Sequence, residues 1–325
     1  MTDFSRGPGG GGAAAGRGTL LFIGVDTQGS SIMKLFPRWA EILRLDAGIE
    51  GWDIPLGAEP AVYRKAVRLL ADDPRIAGAL VTSHKVDVYR HAGVLFDELD
   101  RYAQLCREVS CISRRGARLR GHAKDPITAG LAMQDLLGPD HWLDRKAQML
   151  CLGADEAKTA ITVRLLTTTP VPARIVVADK DPTRLATLGA ICEELGAAAV
   201  ELSRVAGGED ADALLAELPR GSLVVNATGM GKDLPGSPFS DRARFPVGAL
   251  VWDLNYRGDL RFLRQARRQA GERGLTLHDG WRYFLHGWSE VVAEVYDLDL
   301  TPQLFARFAE AAEPLQPSTP ATPRP

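Results

Sequence analysis

The stretch MLCLGADEAKTAITVRLLTTTPVPARIVVA, residues 149–178, is predicted to form a strand, a helix and a second strand in succession. Its apolar runs, Met149–Leu152 and Arg174–Ala178, have the length of buried strands. The segment Glu156–Leu166 between them is predicted to be a helix, and Gly153 separates it from the first strand. Strands that alternate with helices are typical of βαβ units and a parallel sheet. We therefore predict an α/β fold.

The same alternation continues toward the C-terminus. Four more strands are predicted at Ala199–Leu202, Ser222–Ala227, Ala249–Leu254 and Leu275–His278. Further helices are predicted at Pro182–Leu195, Ala211–Leu218 and Leu260–Arg273. Six strands in series are what a doubly wound, Rossmann-type domain needs, and such domains bind dinucleotides at the carboxyl ends of their strands.

The N-terminal part of the chain alternates in the same way, with strands predicted at Leu20–Val25 and Ala79–Thr82 and a helix at Glu59–Leu70. A chain of 325 residues is too long for one ordinary core. We predict an N-terminal α/β substrate domain and a C-terminal Rossmann-type domain, followed by helices that return to the first domain. The predicted ranges are 19–125, 126–280 and 281–312, with disordered tails at 1–18 and 313–325.

The overall composition excludes several classes of function. Hydrophobic residues make up 45% and charged residues 25%, as in soluble globular proteins. A net charge of −2 provides no field for nucleic acid or an anionic membrane. The glycine-rich start lacks the apolar segment of a signal peptide, and the four cysteines lack CxxC spacing. We expect a cytoplasmic protein that acts on a small molecule, and a homodimer is compatible with this expectation.

Lys85 ends the segment Val81-Thr82-Ser83-His84-Lys85, which follows a predicted strand and precedes a helix. Open α/β sheets bind ligands at this edge, where a lysine could exchange a proton with a substrate oxygen. A solvated loop lysine is the structural alternative. A lysine with a pKa of about 10.4 is a slow base at neutral pH, so it needs a carboxylate partner to hold it in place and an environment that tunes its pKa. Asp125 is the candidate, although before Pro126 it also suits a helix N-cap.

The order of motifs resembles the shikimate dehydrogenase family, which includes the quinate dehydrogenases. Val81–Lys85 is similar to the family's VTxPHK segment, one residue shorter, and Gly121–Asp125 is similar to GxNTD. Val224–Gly231 resembles VxNATxxGM, Trp252–Tyr256 resembles YDLxY, and Asp279–Gly287 resembles DGxxMLxxQ. The resemblance extends from about residue 20 to residue 310.

The resemblance implies an NAD(P)-dependent oxidoreductase that interconverts a hydroxyl and a ketone. It implies that Lys85 is the acid/base residue and that Asp125 orients both the lysine and the substrate hydroxyls. Substrate contacts are expected at Ser31, Thr82, Ser110, Tyr256 and Gly287.

Several substrate positions depart from the family pattern. Gly29 replaces one serine of the pair that holds the carboxylate of shikimate, and Leu80 and Ser110 replace asparagines. Gly287 replaces a glutamine. Each lost polar contact costs about 1–3 kcal/mol. We therefore predict a polar, cyclic carboxylic acid other than shikimate, whose carboxylate could be held instead by one of three cationic candidates, Lys34, Arg107 or His286.

The cofactor loop also departs from the pattern, GAGGAxxA. Gly153 and Ala157 remain, but Asp155 and Glu156 replace the middle glycines, and their charges repel a phosphate at the helix start. At the next strand end, Asp179 favours the free ribose of NAD, whereas Lys180 favours the 2′-phosphate of NADP. NAD is slightly preferred. The expected cofactor residues are Gly153, Ala154, Asp155, Ala157, Asp179, Lys180, Asn226, Thr228 and Gly229.

Two other functions remain open at this point. The altered loop is also compatible with a non-redox binding or regulatory protein, or a repurposed enzyme, on the same scaffold. A folate-linked dehydrogenase, which shares a similar two-domain build, is a third reading. Four histidines (His84, His122, His278 and His286) share no metal-ligand spacing, so no metal is expected.

Overall fold

The computed structural model describes residues 18–138, 140–143, 147–153, 156–168, 170–232 and 234–317, and the side chains of residues 156–158 are not described. Most of the two predicted tails, residues 1–17 and 318–325, lies outside these ranges. The described residues form two six-stranded sheets with helices on their faces. The predicted α/β class is confirmed. Among the described residues, no helix is both long enough and apolar enough to cross a membrane.

The first sheet has the strand order β2-β1-β3-β5-β6-β4. Its strands are β1 (Thr19–Gly24), β2 (Ile49–Asp53), β3 (Ile76–Val81), β4 (Glu98–Leu99), β5 (Cys111–Arg115) and β6 (Arg118–His122). Its helices are α1 (Ile32–Leu43), α2 (Pro60–Asp72), α3 (Lys85–Ala92) and α4 (Arg101–Cys106). β1 is parallel to β2 and β3, so the loops that follow β1 and β3 lie at one edge of the sheet. β5 is antiparallel to both β3 and β6.

The second sheet is parallel throughout, in the order β12-β11-β10-β7-β8-β9. Its strands are β7 (Met149–Leu152), β8 (Ile175–Asp179), β9 (Val200–Arg204), β10 (Leu223–Asn226), β11 (Leu250–Asp253) and β12 (Thr276–His278). Its helices are α6 (Glu156–Leu166), α7 (Pro182–Glu194), α8 (Gly208–Ala216), α9 (Arg261–Arg267) and α10 (Ala270–Arg273). Counted from β7, the order is the 3-2-1-4-5-6 arrangement of a Rossmann-type domain, as predicted.

Two predicted helices need correction. The predicted helix Leu260–Arg273 is divided into α9 and α10 by a turn in which the Gln269 N–H donates to the Ala266 carbonyl at 2.9 Å. The Gln269 side chain there bonds the backbone at Ala243 and Phe245. Helix α8 begins at Gly208, three residues before the predicted start. There Asp210 accepts a hydrogen bond from the Ala206 amide at 2.7 Å and so fixes the first turn.

Three helices lie outside the alternating series: α5 (Asp125–Leu136), α11 (Trp281–Val295) and α12 (Pro302–Ala312). Helix α11 packs against α5, β3 and β5. Helix α12 packs against α1, where the Trp39 and Phe308 rings stack at 4.5 Å and the Trp39 indole donates to the Phe308 carbonyl at 3.0 Å. A short 3-10 helix, Glu313–Leu315, lies in the segment predicted to be a tail. The domain boundaries themselves stay predictions.

Candidate active site

The site is centred on an ion pair between the ends of two elements of the first domain. Lys85 begins α3 after the short loop 82–84 that follows β3, and Asp125 begins α5 after the two residues that follow the β5–β6 hairpin. The Lys85 Nζ donates to Asp125 Oδ2, and the two side chains are 18% and 14% exposed. The N-cap of α5 is Lys124, not Asp125, so the aspartate is available for this pair. The contact is the one that the sequence predicted, and its catalytic role stays a prediction.

A buried histidine holds the loop that carries Lys85. The His84 ring is buried, and its Nε2 lies 2.7 Å from the Ile54 carbonyl, to which it must donate. Its Nδ1 lies 3.4 Å from the Tyr63 hydroxyl. The Lys85 carbonyl accepts from the Val109 amide at 3.0 Å. These contacts fix the backbone from which the lysine side chain extends.

The loops after β1 and β3 carry two predicted substrate residues. Ser31 is the N-cap of α1 and Thr82 follows β3, and both are half-buried. A Cβ placed on Gly24 would lie 3.0 Å from Thr82 Oγ1, so the two loops are neighbours. The Ser31 side chain makes no capping hydrogen bond. The two residues thus occupy the strand-end edge that also presents Lys85.

The Ser110 hydroxyl is hydrogen-bonded within the protein. Its side chain is buried, and its hydroxyl accepts from the Lys124 amide at 2.8 Å. This bond ties the start of β5 to the residue that precedes Asp125. Ser110 therefore helps to position the backbone next to Asp125, and a direct contact between Ser110 and a substrate stays a prediction.

Gly287 lies on α11 opposite Thr128 of α5. A Cβ at position 287 would lie 3.5 Å from Thr128 Cγ2, so the two helices approach closely there. The buried Thr128 hydroxyl has no hydrogen-bond partner among the described residues. Thr128 is one turn after Asp125, on the same side of α5. The glycine leaves this face of the helix without the polar side chain that the resemblance would place there.

The loop after β11 reaches from the second domain to the first. The Tyr256 ring packs on Trp281 and Phe284 of α11, with centroids 5.3 and 4.9 Å apart. The next residue, Arg257, donates from Nη1 to the Gly29 carbonyl at 3.4 Å. Sequence reasoning missed Arg257, because 228 residues separate it from Gly29 and no spacing signals such a contact.

The candidate cofactor site is a cavity of about 520 Å³ at the carboxyl ends of β7 and β8. Its lining includes Gly153, Asp179, Lys180, Arg184 and Thr228. Gly153 has φ +107°, a conformation that favours glycine. The volume lies within the range of ligand pockets. Predicted residues Ala154 and Asp155 lie outside the described residues, as does the side chain of Ala157.

The charged residues expected to contact the ribose of a dinucleotide follow β8. Asp179 is buried, and its Oδ1 accepts from the Asp181 amide at 2.8 Å. Lys180 and Arg184 are exposed and line the same cavity. Sequence reasoning missed Arg184. Its position four residues after Lys180, at the start of a helix, could have indicated that both cations face the same ligand. The cavity thus presents one carboxylate and two cations.

The predicted residues after β10 differ in what they do. The buried Asn226 donates to Asp253 Oδ1 at 3.1 Å and to the Met230 carbonyl at 3.2 Å. Its Oδ1 accepts from the Thr228 amide and hydroxyl. Asn226 therefore shapes the loop, Thr228 lines the cavity, and Gly229 provides a φ of +73°. Burial raises the pKa of the neighbouring Asp253 to about 7.

A second ion pair lies behind the first. The Lys124 Nζ donates to Glu294 Oε2 at 2.8 Å, and the other oxygen of Glu294 accepts from Ser113 Oγ at 3.2 Å and Arg115 Nη2 at 3.1 Å. His122 Nε2 lies 3.4 Å from that same oxygen. Burial raises the pKa of Glu294, but the charges of Lys124 and His122 outweigh it and lower the pKa to about 2.

Of the three cations considered as substitute carboxylate ligands, His286 is committed elsewhere. Its Nε2 lies 2.8 Å from Asp135 Oδ2, and its ring stacks on Phe305 at 4.1 Å. Lys34 and Arg107 are exposed. Within the described ranges, no group of three or more His, Cys, Asp or Glu side chains could hold a metal ion.

Two α/β domains, a parallel Rossmann-type sheet and a lysine–aspartate pair at the first sheet's edge together define a shikimate dehydrogenase-like fold. A shikimate dehydrogenase solved with NADP+ has a TM-score of 0.72 and 18% identity, covering 96% of this chain and 100% of its own. Quinate dehydrogenase from Corynebacterium glutamicum, solved with NAD, has a TM-score of 0.71 and 20% identity, covering 90% and 99%.

The 5-ketofructose reductase of Gluconobacter sp. strain CHM43 is similar to the same degree, with a TM-score of 0.70, 20% identity, and coverage of 92% and 99%. The chain matches no protein-family model and no curated protein by sequence. At identities this low, the similarity establishes the fold.

Proposed function

We propose that the protein is an NAD(P)-dependent oxidoreductase that interconverts a hydroxyl and a ketone on a polar, cyclic carboxylic acid other than shikimate. The observation that carries this proposal is the Lys85–Asp125 ion pair at the strand-end edge of the first domain. The similar structures include proteins solved with NADP+ and with NAD, which supports a nicotinamide dinucleotide here.

The residues around the cavity fit a dinucleotide. Gly153 adopts the positive φ of a tight turn at the end of β7, and Asp179, Lys180 and Arg184 surround the end of β8. When bound, the nicotinamide would supply the hydride acceptor or donor. Thr228 would lie beside it on the β10 side.

The ion pair can move the proton that accompanies hydride transfer. In the direction of oxidation, Lys85 as a neutral amine accepts the proton of the substrate hydroxyl. In the direction of reduction, the Lys85 ammonium donates a proton to the carbonyl oxygen. Asp125 holds the lysine side chain and can accept a hydrogen bond from a second substrate hydroxyl. Both carboxylate and ammonium remain partly exposed, as a ligand requires.

We propose NAD as the slightly preferred cofactor. The Asp179 carboxylate would accept hydrogen bonds from a free ribose diol and would repel a 2′-phosphate. Lys180 and Arg184 oppose this preference, since both line the same cavity. We further propose a cytoplasmic location, because all four cysteines are free, as expected in a reducing compartment, and a homodimer as the assembly to test.

Titration with NADH and NADPH, followed by nicotinamide fluorescence, tests the cofactor half of the proposal. Binding in the micromolar range is expected, and no binding at millimolar cofactor would favour a binding or regulatory protein on this scaffold. A panel of cyclic hydroxy acids then tests the chemistry with wild type and Lys85→Met. Turnover by wild type that Lys85→Met retains in full would overturn the acid/base assignment.

A further inference from the structure

The side chain of Arg257 extends from the second domain to the first, and the groups that it contacts there are uncharged. Its Nη1 donates to the Gly29 carbonyl at 3.4 Å, and its guanidinium carbon lies 6.0 Å from the centre of the Tyr256 ring. Within the described part of the chain, no carboxylate forms an ion pair with it. The side chain is exposed. Most of its five N–H donors are thus not engaged by these contacts.

Arg257 contacts one of the loops that border the ion pair. Gly29 belongs to the loop between β1 and α1, and this loop also carries Ser31. The adjacent loop after β3 carries Thr82 and leads to Lys85. The charge of Lys85 is balanced by Asp125, whereas the charge of Arg257 has no such balance at its own contacts. The loop after β1 therefore has a positive charge beside it that is not balanced by these contacts.

One acidic side chain is close to this position. A Cβ placed on Gly29 would lie 3.1 Å from Asp26 Oδ2, so that carboxylate borders the same loop. Asp26 is exposed, and water screens its charge. Gly29 itself contributes no side chain, which leaves its carbonyl open to the guanidinium. Asp26 is expected to weaken anion binding at Arg257 without abolishing it.

We propose that Arg257 binds the carboxylate of the substrate and so selects an acid over a neutral polyol. This inference rests on the proposed action of the protein on a hydroxy acid. A planar guanidinium matches a carboxylate with two parallel hydrogen bonds, and its partner groups, a carbonyl and an aromatic face, orient it without neutralising it. Because Arg257 belongs to the second domain, the bound acid would contact both domains at once.

Calorimetric titration in the presence of NAD tests this proposal, with shikimate, quinate and other cyclic hydroxy acids as probes and their methyl esters as neutral counterparts. Wild type should bind at least one acid more tightly than its ester. Arg257→Met should weaken binding of that acid about 10- to 100-fold and leave the ester within about threefold. Arg257→Lys should retain part of the acid preference, and Asp26→Asn should tighten acid binding by a few fold.

Arg244→Met is the matched control, because Arg244 is an exposed arginine that pairs with Glu272 elsewhere in the second domain. It should leave both affinities unchanged. If Arg257→Met weakened binding of the acid and of the ester equally, the role of Arg257 would be to connect the two domains, and the proposal would be overturned. So would a wild type that binds none of the acids more tightly than its ester.

The variant Lys85→Met separates this inference from the proposed function. It should lose turnover but still bind the acid more tightly than the ester, because Lys85 is proposed to contact a substrate hydroxyl and not the carboxylate. If no acid is turned over by wild type but the acid preference still depends on Arg257, the anion site stands and the redox chemistry fails. If turnover depends on Lys85 but acid and ester are processed alike, the oxidoreductase stands and the role of Arg257 fails.

Discussion

Residues 124 and 125 are neighbours in sequence, yet their side chains enter two ion pairs with different surroundings. Asp125 meets Lys85 at the sheet edge, where the side chains are 14% and 18% exposed. Lys124 meets Glu294 in the interior, where the exposures are 8% and 12%, and Ser113 and Arg115 also donate to Glu294. The same combination of side chains, a lysine and a carboxylate, thus forms the candidate reaction centre in one place and a structural ion pair in the other.

The difference between the two pairs shows that position decides what such a pair can do. The Lys85–Asp125 pair borders the loops that carry Ser31 and Thr82, so a ligand can reach it. The Lys124–Glu294 pair connects α11 to the end of the β5–β6 hairpin and is surrounded by protein groups. It holds the residue next to Asp125 in place. We therefore expect changes to the first pair to affect turnover and changes to the second to affect stability.

The largest expected effect separates the two lysines. Lys85→Met should lower turnover about 100- to 10,000-fold, because it removes the proton donor and acceptor. The free energy of unfolding should change by about 1–2 kcal/mol, less than at the internal pair, because both partners of this pair keep some contact with water. Lys124→Met should show the reverse order of effects. Steady-state kinetics and urea denaturation of both variants give the comparison, and a Lys85→Met variant that keeps turnover would break it.

Glu294→Leu should destabilise the fold by about 3–5 kcal/mol, because it leaves the Lys124 ammonium buried and unpaired. The double variant Lys124→Met/Glu294→Leu should recover most of this loss, since apolar side chains of similar volume can replace a buried pair. Denaturation midpoints measure both. A double variant no more stable than Glu294→Leu alone would show that the pair does more than balance charge.

The pH dependence of stability should report the buried pair. The pKa of Glu294 is about 2 in the folded protein, below its ordinary value of 4.5. A depressed carboxyl pKa stabilises the fold above the unfolded value, and this stabilisation is lost as pH falls from about 4.5 toward 2. It is about 3 kcal/mol at pH 7. The stability difference between wild type and Glu294→Gln should therefore shrink by more than half between pH 7 and pH 3, and a constant difference would contradict it.

The smallest expected effect concerns the second sheet. Asp179→Asn should shift the ratio of NADH to NADPH affinity about tenfold toward NADPH, because Lys180 and Arg184 then face the ribose without an opposing carboxylate. Fluorescence titration with both cofactors measures the ratio. Asp181→Asn is the control: Asp181 caps α7 through the Thr183 amide, and asparagine can do the same. An equal shift in both variants would mean that overall charge, not the position of Asp179, sets the preference.

The predicted elements agree with the structure where local pattern is sufficient. Met149–Leu152 and Glu156–Leu166 have the predicted limits, and α7 begins at the predicted Pro182, because apolar runs and a proline at a helix start are local signals. The break between α9 and α10 was missed, since it depends on contacts of Gln269 with a distant loop. Whether a segment forms a strand or a helix depends mainly on residues close to it in sequence. Where a helix is interrupted can depend on residues that are close only in space.

The candidate site was predicted in the same uneven way. The Lys85–Asp125 pair was reached because both residues stand at element ends in a known motif order. The internal use of Ser110 and Asn226 was not, because each depends on backbone groups that packing brings within reach. Arg184 had a sequence signal that was overlooked, and Arg257 had none.

By itself, the sequence determined the succession of strands and helices, since periodic burial acts over a few residues and needs no distant partner. It also placed Lys85 and Asp125 at element ends. Only the tertiary structure decided which carboxylate each lysine meets and that Arg257 crosses to Gly29. Those choices depend on distances of a few ångströms between residues far apart in the chain, which packing sets and residue spacing does not.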